Sequence, residues 1–295
     1  MAAKFLPYLL AGISVGGQYA LIAIGYTMVY GILKLINFAH GDLFMLSGIM
    51  MIYLAASFPT MPMWVTILIM IALTVFVGFA IEKCAYSPLR TAPRMSVMIS
   101  AIGVSYLLQN LVCYVTGGLA KQFPDIPLIS QSVRVFGVKD KLAVFISPLV
   151  AVVLMVILVL IINHTKFGMS MRAVSKDFET AQLMGVKINR VISMTFIIGS
   201  FLAAVGALLY FAKNTGINHM AGSTPGIKAF IAAVVGGIGS VPGAVVGALL
   251  IGVVESLAKA FGLADFSDVI SFALLIIILV IKPTGLFGEK TTEKV

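Results

Sequence analysis

Three short segments of this 295-residue sequence hold side chains that could do chemistry, and the most polar of them reads RAVSKDFETAQLMGVKINR from Arg172. As a helix, this segment would place Ala181 and Gly185 four residues apart on one face, where small side chains let a partner approach closely. Asp177 and Glu179 come early in the same helix, where the helix dipole favours negative charge. The segment therefore predicts either a docking helix or a plain amphipathic connector.

The second segment, INFAHGDLFMLSG, holds Asn37, His40 and Asp42 directly before the uncharged run 43–81. Ionisable groups inside a bilayer are costly and usually face a cavity or a partner. One interpretation is that these three side chains line a translocation path. The alternative is that Asn37 caps a helix and Asp42 lies in its first turn, where the dipole favours a carboxylate.

The third segment, residues 226–255, is rich in glycine and ends in Glu255 after a long uncharged run. Its glycines and Pro242 can break one long helix into two shorter ones. A broken helix at membrane depth is tolerated only where it is buried in protein or lines a cavity, which makes this segment a second candidate for the path. The glycines concerned are Gly236, Gly237 and Gly239. Glu255 either faces the path or closes the helix in an i,i+4 pair with Lys259.

Catalytic constellations are missing from the sequence. Its three histidines stand in separate segments, and no Gly-Lys-Ser/Thr phosphate loop occurs among the abundant glycines. We therefore expect no enzyme activity, no cofactor and no metal site of the chain's own, with any ATP bound by other subunits. Cys84 and Cys113 fall in or beside different apolar runs and are expected to be free thiols.

The composition places most of the chain in a membrane. Hydrophobic residues make up 60% and charged residues only 11% of the sequence, against roughly 25% charged in ordinary soluble domains. A spanning helix needs about 20 apolar residues, and lipid forces backbone groups to pair within the helix. The sequence predicts an all-α polytopic membrane protein, a single transmembrane domain over residues 1–295, with about eight to ten transmembrane helices.

The net charge of +9 does not indicate nucleic-acid binding, because the Lys and Arg residues lie in loops between apolar runs and form no basic domain face. Positive loops face the cytoplasm. We expect residues 83–94, residues 164–190 and the tail after Ile281, with Lys282, Lys290 and Lys294, to be cytoplasmic, and residues 121–141 to lie outside. Only three apolar runs separate the second loop from the tail, so the broken segment 226–255 has to supply a further crossing.

Three separated motifs resemble one family. The motifs are YALIAIGYTMVYGILKLINFAHGD from Tyr19, GVKINRV from Gly185, and TPGIKAFIAAVVGGIGSVPGAVVGALLIGVVE from Thr224. Together they are similar to the permease subunits of branched-chain amino acid ABC transporters over nearly the whole chain. One departure occurs at residues 194–197, where the Ile-x-Leu-Pro ending of the longer coupling signature of other importers is replaced by Met-Thr-Phe-Ile.

The resemblance implies a bacterial inner-membrane protein that works with a second, sister permease. It further implies two cytoplasmic ATPase subunits, a periplasmic amino-acid-binding protein, and leucine, isoleucine or valine as the transported solute. Glu179, Ala181 and Gly185 would belong to the coupling helix that docks on an ATPase. Two alternatives remain at this stage: a related ABC importer for urea, amides or other amino acids, and a stand-alone ion-coupled secondary transporter with ion sites at His40, Asp42 and Glu255.

Overall fold

The structure, a computed structural model, describes residues 2–288 with the exception of Thr91, Phe136 and Gly137, so that the expected cytoplasmic residues Lys290 and Lys294 lie outside the described part. The protein is all-α apart from two small ribbons. Its helices are α1 (Ala2–Leu33), α2 (His40–Ser57), α3 (Met63–Ile81), α4 (Arg94–Thr116), α5 (Pro127–Ser130), α6 (Leu142–His164), α7 (Lys166–Lys176), α8 (Phe178–Leu183), α9 (Ile188–Lys213), α10 (Ser223–Gly236), α11 (Val241–Ala260) and α12 (Ser267–Ile281). A π-helical turn (Glu82–Tyr86) and a 3-10 turn (Ser87–Leu89) continue α3, and a 3-10 turn (Ala264–Phe266) precedes α12.

The strands form two antiparallel pairs outside the helical body. β1 (Lys121–Gln122) pairs with β4 (Gly216–Ile217), while β2 (Ser132–Val135) and β3 (Val138–Lys141) form a hairpin. The Lys141 ammonium group donates to the Ala212 carbonyl at 2.6 Å, and Lys213 pairs with Asp140 at 3.1 Å. The loop between α4 and α6 is therefore held against the end of α9.

Eight of the described helices, counted with their continuations, are long and apolar enough to span a membrane, which agrees with the sequence prediction. They differ in how deeply they are packed. In α1, α2, α9 and α11, 61–67% of the spanning window is buried inside the protein, whereas in α3, α4, α6 and α12 only 11–28% is buried. The first four form the centre of the molecule, and the last four present faces to its surroundings.

The contact between α1 and α11 depends on a stripe of small residues. A methyl group on Gly16 would lie 2.7 Å from the Cα atom of Leu249, and one on Gly12 would lie 2.8 Å from the Cα atom of Val253. Real Cβ contacts are never so short, so only glycine permits this approach. Glycine spacing of four residues is a known way for membrane helices to pack backbone against backbone.

The predicted helix break is present between α10 and α11. Gly237 and Gly239 adopt φ values of +107° and +101°, a region that L-residues with a side chain rarely enter. Pro242 stands in the first turn of α11, and the Ser240 hydroxyl accepts a hydrogen bond from the Gly243 N–H at 3.2 Å. These features end α10 and start α11 anew.

The extra crossing that the charge pattern requires would have to involve the short helix α10. It has 14 residues, too few to span alone, and begins beside the start of α2. A methyl group on Gly41 would lie 2.8 Å from the Gly222 carbonyl oxygen. Residues 214–222 connect the end of α9 to α10, and a crossing made by this irregular segment and α10 together stays a prediction.

The predicted membrane orientation, with α7 in the cytoplasm and the β2–β3 hairpin outside, implies that cysteines at these two places differ in their labelling by a thiol reagent. We expect Lys176→Cys, in a chain carrying Cys84→Ser and Cys113→Ser, to resist a membrane-impermeant maleimide in intact cells, because the basic segment that contains α7 is predicted to face the cytoplasm. Lys139→Cys in the β2–β3 hairpin serves as the matched control and should react readily. Labelling of Lys176→Cys at the rate of Lys139→Cys would show that the orientation is inverted.

Candidate functional site

The polar segment predicted to dock a partner folds into two helices joined at Asp177. The Thr165 hydroxyl caps α7, and the Arg172 guanidinium donates to the Ile162 carbonyl, which ties α7 back to the end of α6. Asp177 caps α8: it accepts from the Glu179 N–H at 2.9 Å and from the Thr180 hydroxyl at 2.5 Å. The sequence could indicate these caps because Thr and Asp are favoured at helix starts.

The charge on Asp177 is part of this cap. A hydrogen bond from the Thr180 hydroxyl, with further ones from the N–H groups of Thr180 and Glu179, holds the pKa of the Asp177 carboxyl below its usual range. Since the folded-state pKa is lowered, the stabilisation is complete above the carboxyl's ordinary pKa and is lost only as pH falls through the lowered value. The cap is therefore fully formed near neutral pH.

The end of α8 presents apolar side chains to solvent. Gly185 has φ +83°, and the Val186 N–H reaches back to the Ala181 carbonyl at 3.0 Å, as in a glycine-terminated helix. Leu183 and Met184 at this turn are 88% and 80% exposed. These two residues, here called the Leu183–Met184 tip, were not singled out from the sequence, because an apolar pair in a short polar helix resembles an ordinary packing position.

Ala181 requires a correction. The sequence pattern placed Ala181 and Gly185 on a common face open to a partner, but Ala181 is only 4% exposed and packs against its own chain. Gly185 is exposed, with open space around the position of a side chain. The surface available to a partner therefore consists of Glu179, the Leu183–Met184 tip and Gly185, while Ala181 holds α8 in place.

A cavity of about 890 Å³ lies between this segment and the body of the protein. Four basic residues contribute to its wall, namely Arg90, Arg94, Lys187 and Arg190, against the acidic Glu179. The remaining lining includes Leu33, Tyr86 and Ile188. The cavity separates α8 from the connection between α1 and α2, so movement of α8 would change its shape.

Asn37, His40 and Asp42 are all buried within the chain. Asn37 accepts a hydrogen bond from the Tyr86 hydroxyl at 2.8 Å, and the His40 ring lies against Gly25 with its centroid 4.9 Å from that of Tyr26. Asp42 stands in the first turn of α2, as one interpretation expected, but the N-cap residue is Ala39 and not Asn37. The capping role predicted for Asn37 is therefore wrong, because its side chain is engaged by Tyr86.

Asp42 joins α2 to α4. Its carboxylate accepts from the Ser105 hydroxyl at 2.5 Å and from the Gln109 amide at 2.8 Å. Both donors lie on the buried side of α4, and Asp42 itself is 2% exposed. Two donors on one carboxylate satisfy a charged group that would otherwise be costly at this depth.

Glu255 forms the centre of a charged cluster. It accepts from the Tyr19 hydroxyl at 3.1 Å and pairs with Lys228 at 3.0 Å and with Lys259 at 2.7 Å, the last being the i,i+4 pair considered from the sequence. Lys228 also reaches Asp268 on α12 at 2.7 Å. Lys228 was missed, although a lysine inside an apolar helix is the signal that could have found it.

The candidate path residues thus fall into three separate clusters. Gly236 and Gly237 lie at the helix break against the segment that follows α12, and Gly239 lies beside Gly31. The Asp42 and Glu255 clusters have different partners. Within the described residues no group of three His, Cys, Asp or Glu side chains could hold a metal ion, and Cys84 and Cys113 are unpaired thiols.

The fold is that of a polytopic membrane protein and is shared with a solved structure. Four of the eight spanning helices form the centre of the described part and four lie around them, a broken helix is buried among them, and a capped polar segment stands between α6 and α9. The chain has the fold of a solved structure described as an inward-facing conformation of a metal-chelate type ABC transporter. That likeness has a TM-score of 0.50 and 16% identity and covers 94% of this chain and 85% of the other.

The sequence comparisons identify the family. Residues 8–279 match the model of the branched-chain amino acid transport system permease component. The LivH permease protein of Salmonella typhimurium is 38% identical over 99% of this chain and 98% of its own length, and the BraD permease protein of Pseudomonas aeruginosa is 40% identical with the same coverage. The chain belongs to this permease family and is a multi-pass protein of the inner membrane.

The Glu255 cluster predicts a strong dependence of stability on charge pairing. Glu255→Leu leaves Lys228 buried without its inner partner, and such a loss typically costs roughly 3–5 kcal/mol. The double variant Glu255→Leu/Lys228→Leu should be more stable than Glu255→Leu alone, because it removes the unpaired charge. The stability of the single and of the double variant is compared through the apparent melting temperature of the purified protein in detergent.

Lys259→Leu is the milder comparison, since Lys259 is 45% exposed and Glu255 keeps its pair with Lys228 after the change. If Glu255→Leu melted at the temperature of Lys259→Leu, the cluster would have no part in holding α10 and α11 together.

Proposed function

We propose that this chain is the permease subunit of an ATP-driven importer that carries leucine, isoleucine and valine across the inner membrane. The observation that supports it best is the capped, exposed end of α8 in a chain that matches permeases named for branched-chain amino acid transport along 99% of its length. The permease forms part of the passage and catalyses no reaction. ATP is bound and hydrolysed by two partner ATPase subunits, and the chain needs no cofactor.

The Leu183–Met184 tip is the docking point for one ATPase. Two adjacent apolar side chains that are almost fully exposed in water are unfavourable unless a partner covers them. Fully burying such a side chain contributes roughly 1.5–3 kcal/mol. The segment is rigid because Arg172, Asp177 and Gly185 fix its ends, so a push on the tip is transmitted to α6 and α9 and is not absorbed by local bending.

Two further partners complete the importer. A periplasmic amino-acid-binding protein delivers the solute, and the loop between α4 and α6 is its docking surface on this chain. That loop is basic, with Lys121, Arg134 and Lys139 among its exposed or partly exposed residues, and its anchoring to α9 gives it a fixed shape. A second, sister permease packs against the outer helices and closes the passage.

The charged clusters favour this function over ion-coupled transport. Glu255 is neutralised by two lysines, and Asp42 accepts two hydrogen bonds from α4. Neither carboxylate lines the cavity of about 890 Å³ beside α8. Energy supplied by partner ATPases requires no such ion site.

Uptake by the reconstituted complex tests the proposed substrate. With the ATPases, the sister permease and the binding protein present, proteoliposomes should accumulate radiolabelled leucine only when ATP is inside. Isoleucine and valine in excess should abolish the signal, while urea and short amides should leave it unchanged. Uptake driven by a proton or sodium gradient without ATP would support a secondary transporter, and competition by urea would move the protein to a related importer.

The docking point is tested by Leu183→Asp/Met184→Asp. We expect ATPase association to weaken at least about tenfold, because the loss of one such apolar contact exceeds 1.4 kcal/mol. Stimulated ATP hydrolysis and leucine uptake should fall with it, while the melting temperature stays unchanged. Pull-down of the ATPase and hydrolysis in proteoliposomes are the measurements.

Met220→Asp is the matched control, an exposed methionine in the segment before α10 that is not part of the Leu183–Met184 tip, and it should bind the ATPase normally. Gly185→Asn and Gly185→Trp form a second pair, since asparagine tolerates positive φ whereas tryptophan adds bulk at the contact. Normal association of both the Leu183→Asp/Met184→Asp and the Gly185→Trp variants would place ATPase coupling elsewhere.

A further inference from the structure

The outward face of α4 differs from the other faces that the molecule presents to its surroundings. Along one side of this helix, Gly103, Tyr106, Asn110 and Tyr114 follow one another at intervals of three or four residues, and all are exposed. Tyr106 is 63% and Tyr114 88% exposed. We call these four residues the α4 stripe. Positions three and four apart share one face of a helix, so the stripe is continuous.

The three other outer helices lack such a stripe. The strongly exposed residues in the interiors of α3, α6 and α12 are apolar, as is typical of lipid-facing surfaces. Among them are Leu68, Phe76, Val153, Ile157, Phe272 and Ile276. The α4 stripe therefore places an amide, a glycine and two phenols on an exposed face, whereas the corresponding faces in the interiors of α3, α6 and α12 carry apolar side chains.

Lipid does not suit this surface. Asn110 donates one hydrogen bond from its amide nitrogen to the Tyr106 carbonyl at 2.8 Å, and its amide oxygen has no hydrogen-bond donor in the described part of the chain. An unsatisfied polar group in hydrocarbon costs several kcal/mol. Gly103 has nothing within 4 Å of where a side chain would be, so no packing contact of this chain requires glycine there.

The two cavities found among the described residues do not join the path candidates into a route through the interior. The path candidates Asn37, Asp42 and Glu255 are buried and bonded to other side chains. His40 is buried against Gly25 and Tyr26. The large cavity reaches inward only as far as Tyr86, and the other cavity described, beside Tyr30, has a volume of about 10 Å³. A leucine molecule is far larger than that. The outer helices, by contrast, present long exposed faces that could border a route through the membrane.

We propose that the α4 stripe lines the solute path of the proposed importer, at the boundary between this chain and the second permease subunit. The inference rests on the proposed function and assigns the path to residues that the sequence did not indicate. Water in the path satisfies the Asn110 oxygen and the tyrosine hydroxyls. Gly103 leaves the path wide near the middle of the helix.

The stripe suits the chemistry of an amino-acid zwitterion. Its amide and phenol groups offer donors for a carboxylate and acceptors for an ammonium group, and none carries a charge that would hold either end tightly. Ile99 and Leu107 flank the stripe and are exposed as well, at 63% and 64%, which gives an apolar side chain a wall to pass. Weak, mixed contacts of this kind let a solute enter and also leave.

The buried side of α4 fixes the direction of the stripe. Ser105 and Gln109 donate hydrogen bonds to the Asp42 carboxylate on α2. In the sequence each of them directly precedes a residue of the α4 stripe, Tyr106 or Asn110. Rotation of α4 would break both hydrogen bonds. Asp42 is therefore a positioning residue for the path, which explains why a carboxylate at this depth belongs to the site without touching the solute.

Reactivity of single cysteines tests the assignment. In the Cys84→Ser/Cys113→Ser background, Gly103→Cys and Asn110→Cys are compared with Ile157→Cys on α6 and Ile276→Cys on α12 in the assembled, reconstituted importer. The probe is a charged methanethiosulfonate reagent, which needs water to reach and ionise a thiol. We expect the two α4 cysteines to react at least tenfold faster than the two controls, and leucine with ATP to change their rate but not that of the controls.

The outcomes separate this inference from the proposed function. Reaction of both α4 cysteines as slowly as Ile157→Cys, in a complex that still takes up leucine, overturns the inference and leaves the function intact. Fast reaction in a complex that carries a different solute supports the α4 path while contradicting the branched-chain substrate. Because Gly103→Cys fills empty space, it keeps the test decisive even if Asn110→Cys fails to assemble.

Discussion

The requirement that backbone polar groups find partners inside the membrane governs the centre of this protein. The chain stops being helical at residues 237–240, where α10 ends, and the last carbonyl groups of α10 lose their intrahelical partners. The segment after α12 supplies them: the Leu286 N–H donates to the Val235 carbonyl and the Phe287 N–H to the Gly236 carbonyl, both at 2.9 Å. The helix break is thus stabilised by residues 286–287, which fold back over it and pair with the free carbonyl groups of α10.

Many features of the site follow from this arrangement. With α10 shortened, its first turn stands beside the start of α2, and Lys228 comes within reach of Glu255 and Asp268. The charged cluster then ties α10 to α11 and α12. On the other side, α2 begins deep enough for Asp42 to reach α4. The irregular segments are therefore joined by hydrogen bonds and ion pairs where regular helices would rely on packing alone.

The sequence was sufficient for the spans, the helix break and the position of the polar segment, because each depends on local properties: apolar runs of about 20 residues, glycines beside a proline, and charges in loops. It was insufficient where the answer depends on which face a helix turns toward its neighbours. Ala181 was expected on a free surface and is buried, whereas Asn110 was not considered and is exposed. Which side of a helix is buried is decided by contacts between segments distant in sequence, such as the one between Asp42 and Gln109.

The glycine-mediated contact between α1 and α11 has a consequence for the order in which the protein is made. α1 is synthesised more than 200 residues before the surface that fits Gly12 and Gly16, which lies on residues 248–256. Until then α1 stands in the bilayer with its narrow glycine face open to other helices. The central helix α1 therefore enters the membrane early but reaches its final packing only when α11 has been made. A chain truncated before α11 contains α1 without the helix that packs against its glycine face.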